Sequence, residues 1–188
     1  MRRRQFLPAV ALGATVLSGC SQFTTAESSA VTLSDPDTEN DGDETHLTFR
    51  RGDELLLVTT IRHDVYEDDR FHPLRVSAWH ADGTGLDGFR YRFAVLPDDP
   101  EHASEVYLNA PGGPEFPEVH FRNDRNGRTI VEVDDLGAQG QGTLTTELVL
   151  QTVGDRPPRK LAVDVEFELS ETEGDRTYDA AGSVLVDL

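Results

Sequence analysis

The feature of the sequence that most constrains the fold is an alternation of apolar and polar side chains. It is clearest over residues 161–169, where apolar Leu161, Val163, Val165, Phe167 and Leu169 are separated by Ala162, Asp164, Glu166 and Glu168. The pattern recurs over residues 89–95, where Phe89, Tyr91, Phe93 and Val95 alternate with Arg90 and Arg92. A period of two gives a β-strand with one buried face, and no stretch shows the 3.6-residue stripe of an amphipathic helix. The chain is therefore predicted to be all-β.

Short runs with strand composition recur along the rest of the chain. The other predicted strands cover residues 45–50, 54–62, 73–81, 104–109, 118–122, 128–134, 143–153 and 177–187. About ten strands at this spacing predict one antiparallel β-sandwich of immunoglobulin-like architecture, with a β-barrel as the alternative. The Cys-Trp-Cys pattern of antibody domains is absent, so the resemblance concerns architecture only and implies no function.

Turn-forming residues indicate how the strands connect. Residues 51–53, 123–127 and 173–175 are typical of hairpin turns, and so is the acidic, glycine-rich segment 82–88. The longest irregular stretch, residues 109–117, contains three prolines. Because proline interrupts a strand ladder, this stretch is predicted to cross from one sheet to the other.

The first twenty residues have the layout of an export signal. A basic stretch over residues 2–4 precedes an apolar stretch over residues 6–17, and small residues lead to Cys20. About a dozen apolar residues are too few to cross a hydrocarbon core, which needs roughly 20 in a helix. Residues 1–20 are therefore predicted to be a signal and not a transmembrane span.

Two motifs in this signal resemble known export signals. Four residues match the twin-arginine motif, a receptor-read address: Arg3, Arg4, Phe6 and Leu7. Leu17-Ser18-Gly19-Cys20 resembles the lipobox of lipoproteins, which implies that Cys20 is lipidated and begins the mature chain. The protein would then be anchored to the extracellular face of the cell membrane. The alternative is an ordinary signal peptide that contains a cysteine.

Cys20 is the only cysteine of the chain, and Met1 is the only methionine. A lipidated Cys20 would leave the mature protein with no disulfide, no thiol nucleophile and no thiolate ligand. Blue-copper, iron–sulfur and cysteine-hydrolase chemistry each need a thiolate and are therefore excluded. No cofactor is predicted.

The composition is strongly acidic, with 35 Asp and Glu residues against 17 Lys and Arg residues and a net charge of −18. Lys160 is the only lysine. This composition resembles that of proteins from extremely halophilic archaea, where dense carboxylates are associated with solubility in molar salt. At about 1 M salt the Debye length is roughly 3 Å, so long-range attraction of a basic partner is screened. Nucleic-acid binding requires basic patches and is not predicted.

Residues 21–44 are poor in large apolar side chains and are predicted to form an acidic tether to a single domain over residues 45–188. The alternative places a first strand at residues 30–33. Residues 37–42 resemble the start of a calcium loop, but Thr48 stands at the twelfth position, where a bidentate Glu belongs. A disordered acidic linker is the preferred interpretation.

The segment from His63 to His72 is the most site-like one, with two imidazoles and four carboxylates between two predicted strands. Such groups suit zinc, manganese or iron. The spacing matches no metal motif, so a solvated loop is the preferred interpretation and no metal ligand is assigned. The remaining histidines lie on or near separate strands: His46, His80, His102 and His120.

The aromatic residues divide into two groups. Those at residues 89–93 have the spacing of a buried strand face and are predicted to lie in the core. Trp79, the only tryptophan, is out of phase with Leu74, Val76 and Ala78 on its own strand. It is therefore predicted to lie on the outer face, where an exposed aromatic ring indicates contact with a ligand or partner.

No catalytic motif is found: the sequence has no G-x-S-x-G elbow, no H-E-x-x-H and no P-loop. No catalytic residue is assigned. The predicted function is a noncatalytic binding or interaction module of a membrane-anchored lipoprotein, with a surface or membrane protein as its partner. One alternative is a metal-binding protein or metal-dependent enzyme that uses His63, His72 and nearby carboxylates. Another is an accessory subunit of a membrane transport or respiratory complex.

Overall fold

The computed structural model describes residues 30–64, 71–96, 103–108, 118–124, 128–136, 142–153 and 160–188. All regular secondary structure in this part of the chain is β-strand. The strands are β1 (Val31–Leu33), β2 (Asp37–Asp41), β3 (Glu44–Arg51), β4 (Glu54–His63), β5 (Phe71–His80), β6 (Thr84–Leu96), β7 (Ala103–Leu108), β8 (His120–Asn123), β9 (Thr129–Val133), β10 (Thr143–Val153), β11 (Lys160–Glu171) and β12 (Thr177–Asp187).

The strands form two six-stranded sheets. Sheet A has the order β1-β12-β11-β6-β9-β8, and sheet B has the order β2-β3-β4-β5-β10-β7. Strands β1 and β12 run parallel, and the other paired strands run antiparallel. The two sheets stay separate and enclose one core. The predicted sandwich is confirmed, and the barrel alternative is wrong.

The central strands follow an immunoglobulin-like arrangement. In that architecture strands G, F and C lie side by side in one sheet, and strands B and E lie side by side in the other. Here β12-β11-β6 and β5-β10 take those positions, and the chain changes sheet between β5 and β6 and between β10 and β11. Strands β9 and β8 extend sheet A, whereas β2, β3 and β4 extend sheet B.

The core is built from the alternating residues that define the strand pattern. The inward side chains of β11 are at most 1% exposed. Tyr91 of β6 stacks on Phe89 with ring centroids 4.5 Å apart and meets Phe167 of β11 edge-on at 5.8 Å. Burial of the Tyr91 hydroxyl raises its pKa. The predicted core position of the aromatic residues 89–93 is confirmed.

Most of the predicted connections are confirmed by the strand pairing. Strands β3–β4, β8–β9 and β11–β12 form hairpins, and Gly52 has the positive φ of 61° that a tight turn requires. The stretch 109–117 lies outside the described residues. It joins β7 of sheet B to β8 of sheet A, so the chain changes sheet there as predicted.

The connection between β5 and β6 differs from the prediction. The hairpin predicted at residues 82–88 is wrong, because the chain crosses between the sheets there. The Ala81 N–H donates to the Leu56 carbonyl of sheet B at 2.9 Å, and the Thr172 N–H donates to the Gly83 carbonyl at 2.9 Å from the end of β11. Backbone groups of both sheets thus form hydrogen bonds with this turn. Because the partners are distant in the sequence, no local pattern predicts these bonds.

The domain begins earlier than predicted. Strands β1 and β2 occupy residues 31–41, so the tether prediction is wrong for residues 30–44, and residues 21–29 lie outside the described part. Leu33 is buried in the core, and Pro36 lies so close to β12 that a Cβ at Gly182 would be 2.8 Å from its Cγ. The calcium-like segment 37–42 is likewise neither a linker nor a calcium loop. It forms strand β2 and part of the turn into β3.

Candidate functional site

The outer face of sheet B exposes two aromatic rings on one strand. We define the β5 face as the outward residues of β5 and of its partner strand β10: Phe71, Pro73, Arg75, Ser77 and Trp79, opposite Gln151, Val149, Glu147, Thr145 and Thr143. Trp79 is 39% exposed and Phe71 is 37% exposed. Leu74 and Val76, which alternate with these residues, are buried. The prediction that Trp79 lies on the outer face is confirmed.

The β5 face has no net charge. Its only charged residues are Arg75 and Glu147, which lie opposite each other, with 3.0 Å between Nη2 and Oε1. The whole chain carries a net charge of −18. A surface of ten residues with a single internal ion pair is therefore distinct from the average surface of this protein.

A row of hydroxyl groups lies across strands β4, β5 and β10 beside Trp79. Ser77 and Thr145 lie 3.2 Å apart, measured between their hydroxyl oxygens. On the other side, Thr60 of β4 is paired with Ser77, and its hydroxyl lies 2.9 Å from Nδ1 of His46. Each hydroxyl can donate one hydrogen bond and accept two. The row therefore offers both donors and acceptors next to an apolar ring.

The two aromatic rings are far apart. Phe71 and Trp79 are separated by eight residues of one strand, a distance of about 27 Å. Between them lie Pro73, Ser77 and the Arg75–Glu147 pair. The β5 face is thus a strip that an extended ligand can follow, with an aromatic ring near each end.

The outer face of sheet A is dominated by ion pairs. Arg90 Nε donates to Glu132 Oε2 at 2.6 Å, and Arg122 Nε donates to Glu132 Oε1 at 2.9 Å. Arg90 also reaches Glu166 at 3.0 Å, and Arg92 reaches the same carboxylate at 2.5 Å. The Arg122 hydrogen bond, followed by that of Arg90, lowers the pKa of Glu132 to about 2. These charges are satisfied within the sheet.

A second polar cluster lies where the β3–β4 and β11–β12 turns meet. The Tyr178 hydroxyl donates to Glu171 Oε1 at 2.6 Å, which is the main cause that lowers the pKa of Glu171. Arg51 contacts Tyr178, Glu171 and Glu54, and Arg176 contacts Glu171 at 2.9 Å. A cavity of about 490 Å³ adjoins this cluster. Its charged groups bind one another and join the two turns.

The structure brings His63 and His72 to neighbouring strands. His63 ends β4 opposite Leu74, and His72 precedes Leu74 by two residues, so both imidazoles lie on the inward side of sheet B. The solvated-loop prediction is wrong for His72, which is buried in β5. Residues 65–70 lie outside the described part. Among the residues described, no group of three or more His, Cys, Asp or Glu side chains could hold a metal ion.

The predicted anchor and signal residues lie outside the described residues: Cys20, Arg3, Arg4, Phe6 and Leu7. His102 lies outside them as well. Where the structure describes the chain, it contains no helix of the length and apolar character needed to cross a membrane.

The fold and the β5 face define a β-sandwich domain with an outer strip that has no net charge and exposes two aromatic rings. Residues 30–188 match the family described as a domain of unknown function, DUF8121, and the chain belongs to this family. No curated protein matches the sequence.

Solved structures with a similar fold include two isolated domains and one full-length pilin. The GAE domain of GGA2p from Saccharomyces cerevisiae is 10% identical, with a TM-score of 0.38, over 82% of this chain and 97% of that chain. A collagen-binding domain from a Staphylococcus aureus adhesin is 10% identical, with a TM-score of 0.35, over 64% and 93%. The major pilin SpaD from Corynebacterium diphtheriae is 14% identical, with a TM-score of 0.35, over 61% and 30%. At these scores the similarities carry no argument about function.

The sequence predicts the outward position of Trp79 but not the strip around it. Phe71 falls in the predicted loop that ends at His72, although it lies an even number of residues from Trp79 and therefore shares its face of the strand. This even spacing is the local signal that indicates Phe71. The pairing of β5 with β10, which brings Thr143 and Thr145 beside Trp79 and Ser77, joins segments more than 60 residues apart and has no local signal.

Proposed function

We propose that this protein is a noncatalytic binding module, exported by the twin-arginine route and anchored outside the cell through lipid on Cys20. Its β5 face contacts a component of the cell surface. The export and the anchor rest on the two N-terminal motifs, and the contact surface rests on the geometry of sheet B.

The observation that carries this proposal is the exposure of Trp79 on a strip with no net charge. A fully buried aromatic side chain stabilises a fold by roughly 1.5–3 kcal/mol relative to an exposed one. Trp79, the largest apolar side chain in the protein, is 39% exposed, although Ala78 beside it points into the core. Phe71 is exposed on the same strip, and aromatic residues are enriched at binding interfaces, so this pair of rings favours a binding role for the strip.

The face is better suited to this role than the β2 edge of the same sheet. Asp37, Glu39 and Asp41 are exposed along β2, which is one of the two edge strands of sheet B. Charged side chains on an edge strand oppose the addition of another strand. Contact through the flat β5 face is therefore favoured over strand addition at β2.

The revised domain boundary shortens the proposed tether. Ala30 adjoins β1, whose Val31 pairs with Tyr178. From Cys20 to Ala30 the chain has ten peptide bonds, which span at most about 35 Å. The lipid would therefore hold the domain close to the membrane surface.

Two measurements test the proposal. Mass spectrometry of the membrane-extracted protein should find a mature chain that begins at lipidated Cys20, and an unmodified cysteine would contradict the anchor. Binding is tested with the Cys20→Ser chain, so that lipid insertion cannot carry the protein into a pellet. It should cosediment with isolated cell envelopes in molar salt.

The test variant and its matched control each remove one exposed aromatic residue, from different sheets. Trp79→Ala should remove most of the cosedimentation. Phe121→Ala should leave it unchanged, because Phe121 is 41% exposed but lies on β8 of sheet A. Absence of cosedimentation, or equal loss in both variants, would contradict a binding role for the β5 face.

A metal-dependent function is a second candidate, and one observation favours it. His63 and His72 lie on the same side of adjacent strands, and the His63 Nδ1 atom is buried with no hydrogen-bond partner among the described residues. Elemental mass spectrometry of the purified chain tests this candidate. Near-stoichiometric metal that is lost in a His63→Gln/His72→Gln variant would support it, and traces that do not change would reject it.

A further inference from the structure

We infer that the ligand of the β5 face is an extended, uncharged glycan chain. This inference rests on the proposed binding function and specifies the chemical class of its ligand. The relevant features are the two separated rings, the hydroxyl row between the strands and the absence of net charge.

The aromatic rings match the apolar faces of sugars. The face of an indole or phenyl ring is electron-rich, whereas the C–H groups on one side of a pyranose ring carry partial positive charge. Trp79 lies opposite Val58 on one side and Thr143 on the other, so its ring is flanked by small side chains. A flat sugar ring can therefore lie against it without a bulky neighbour in the way.

The polar groups beside Trp79 match sugar hydroxyls. The side chains of Ser77, Thr145 and Thr60 provide groups that both donate and accept, and Arg75 and Glu147 add a charged donor and a charged acceptor. A ligand that carries many hydroxyl groups can use all of these at once. These groups bind one another in the free protein, so a ligand that adds hydrogen bonds at their remaining donor and acceptor positions is favoured over a purely apolar one.

The distribution of apolar groups argues against a protein partner. Protein interfaces concentrate their hot-spot residues near the centre of the contact. Here Phe71 and Trp79 stand about 27 Å apart along the strand, and the middle of the strip is the Arg75–Glu147 pair. A linear chain with a repeating unit can contact both rings while its hydroxyl groups meet the polar residues between them.

The charge of the strip argues against an ionic ligand. Its one arginine is paired with Glu147, and Arg62 of β4, which lies opposite Arg75, is paired with Asp43 and Asp64. Neither guanidinium group is therefore free to bind carboxylate or sulfate groups of an acidic glycan. A cationic ligand would find other, more acidic surfaces on a chain with a net charge of −18. The strip therefore favours a ligand without formal charge.

Treated cell envelopes provide the decisive experiment, again with the Cys20→Ser chain. One portion of the envelopes is digested with protease, and the other is oxidised with periodate, which cleaves the vicinal diols of sugars. We expect Trp79-dependent binding to survive protease and to fall at least about tenfold after periodate, the loss expected when a stacked ring has no partner. Phe121→Ala should follow the wild type in both portions.

The other outcomes separate the two proposals. Binding that is lost with protease and survives periodate would overturn the glycan inference and leave a protein-binding module. Envelopes that show no Trp79-dependent binding before treatment would overturn the proposed function itself. Deproteinised envelope glycan, split by anion exchange, tests the charge: the neutral fraction should compete for binding, and competition by the acidic fraction alone would overturn the inference.

Discussion

On the outer face of sheet A, charged side chains from four strands form one network, whereas the β5 face of sheet B holds a single ion pair between two exposed aromatic rings. Glu132 is bound by two guanidinium groups, and its side chain is only 12% exposed. Arg75 and Glu147 of the β5 face are each about half exposed. The two sheets are built from strands in the same way, but their outer faces differ. The charged side chains of sheet A are held by several partners within the sheet, whereas the β5 face has one solvated ion pair.

Because of this difference, we expect the outer face of sheet A to contribute to the stability of the fold and the β5 face to contribute to binding. The charged groups of sheet A find their partners within the domain, so their removal should weaken the fold. The aromatic rings of the β5 face project from a sheet whose inward residues are already packed, so their removal should weaken an external contact and leave the fold intact.

The largest effect is expected on binding when both rings of the β5 face are removed. Phe71→Ala and Trp79→Ala should each weaken envelope binding about tenfold, and the double variant about a hundredfold, because sites this far apart act additively. Quantitative cosedimentation measures the affinity. The free energy of unfolding should fall by no more than about 1–2 kcal/mol, because each ring is only partly covered by its neighbours in the sheet.

A result in which the double variant unfolds in parallel with its loss of binding would contradict this prediction. The rings would then be structural, and the two faces would not differ in role. Leu185→Ala provides the matched control for removal of an exposed apolar residue, because Leu185 is 45% exposed on β12 of sheet A. Its affinity should equal that of the wild type.

The next effect concerns the stability that sheet A derives from Glu132. Glu132→Gln should lower the free energy of unfolding by about 1–2 kcal/mol at pH 7, because two charge-assisted hydrogen bonds are weakened in a partly buried position. Urea denaturation measures the change. Glu168→Gln on β11, an exposed position of the same sheet, should cost less than about 0.5 kcal/mol.

The same carboxylate predicts a pH dependence. The pKa of Glu132 is lowered to about 2 in the folded protein, whereas the pKa of Glu in an unfolded chain is about 4.3. Its contribution is therefore complete above pH 4.3 and is lost as the pH falls towards 2. The stability difference between wild type and Glu132→Gln should shrink across this window, and a difference that is constant with pH would contradict the assignment.

The smallest effect is expected for the ion pair of the β5 face. Replacement of Arg75 and Glu147 by glutamine, singly and together, should give a coupling energy below about 0.5 kcal/mol, since the pair is solvated. If the coupling energy of this pair equals that between Arg122 and Glu132, the ion pairs of the two faces do not differ in strength, which would contradict this prediction. Double-mutant cycles in urea provide both values.

Much of the fold could be predicted because the signal is local. The alternation over residues 161–169 predicts β11 and its buried face. Trp79 is out of phase with the buried residues of its own strand, which predicts its outward position. Both predictions follow from the period of a single strand. Neither requires knowledge of which strands pair.

The features that were missed depend on long-range contacts. Residues 30–44 look like a tether by composition, yet Val31 pairs with Tyr178, and Asp37 to Asp41 pair with β3. The crossing at Gly83 is held by Leu56 and Thr172. No local pattern encodes such pairings, so the domain boundary, the crossing and the neutrality of the β5 face emerge only when the sheets are assembled.

Hydroxyl-radical footprinting of the Cys20→Ser chain, free and bound to envelopes, tests the central claim most directly. Mass spectrometry then reports oxidation at Trp79 and at Phe121 in the same molecules. We predict that binding protects Trp79 and leaves Phe121 as reactive as in the free protein. Protection of Phe121 together with unchanged oxidation of Trp79 would contradict the account and move the contact surface to sheet A.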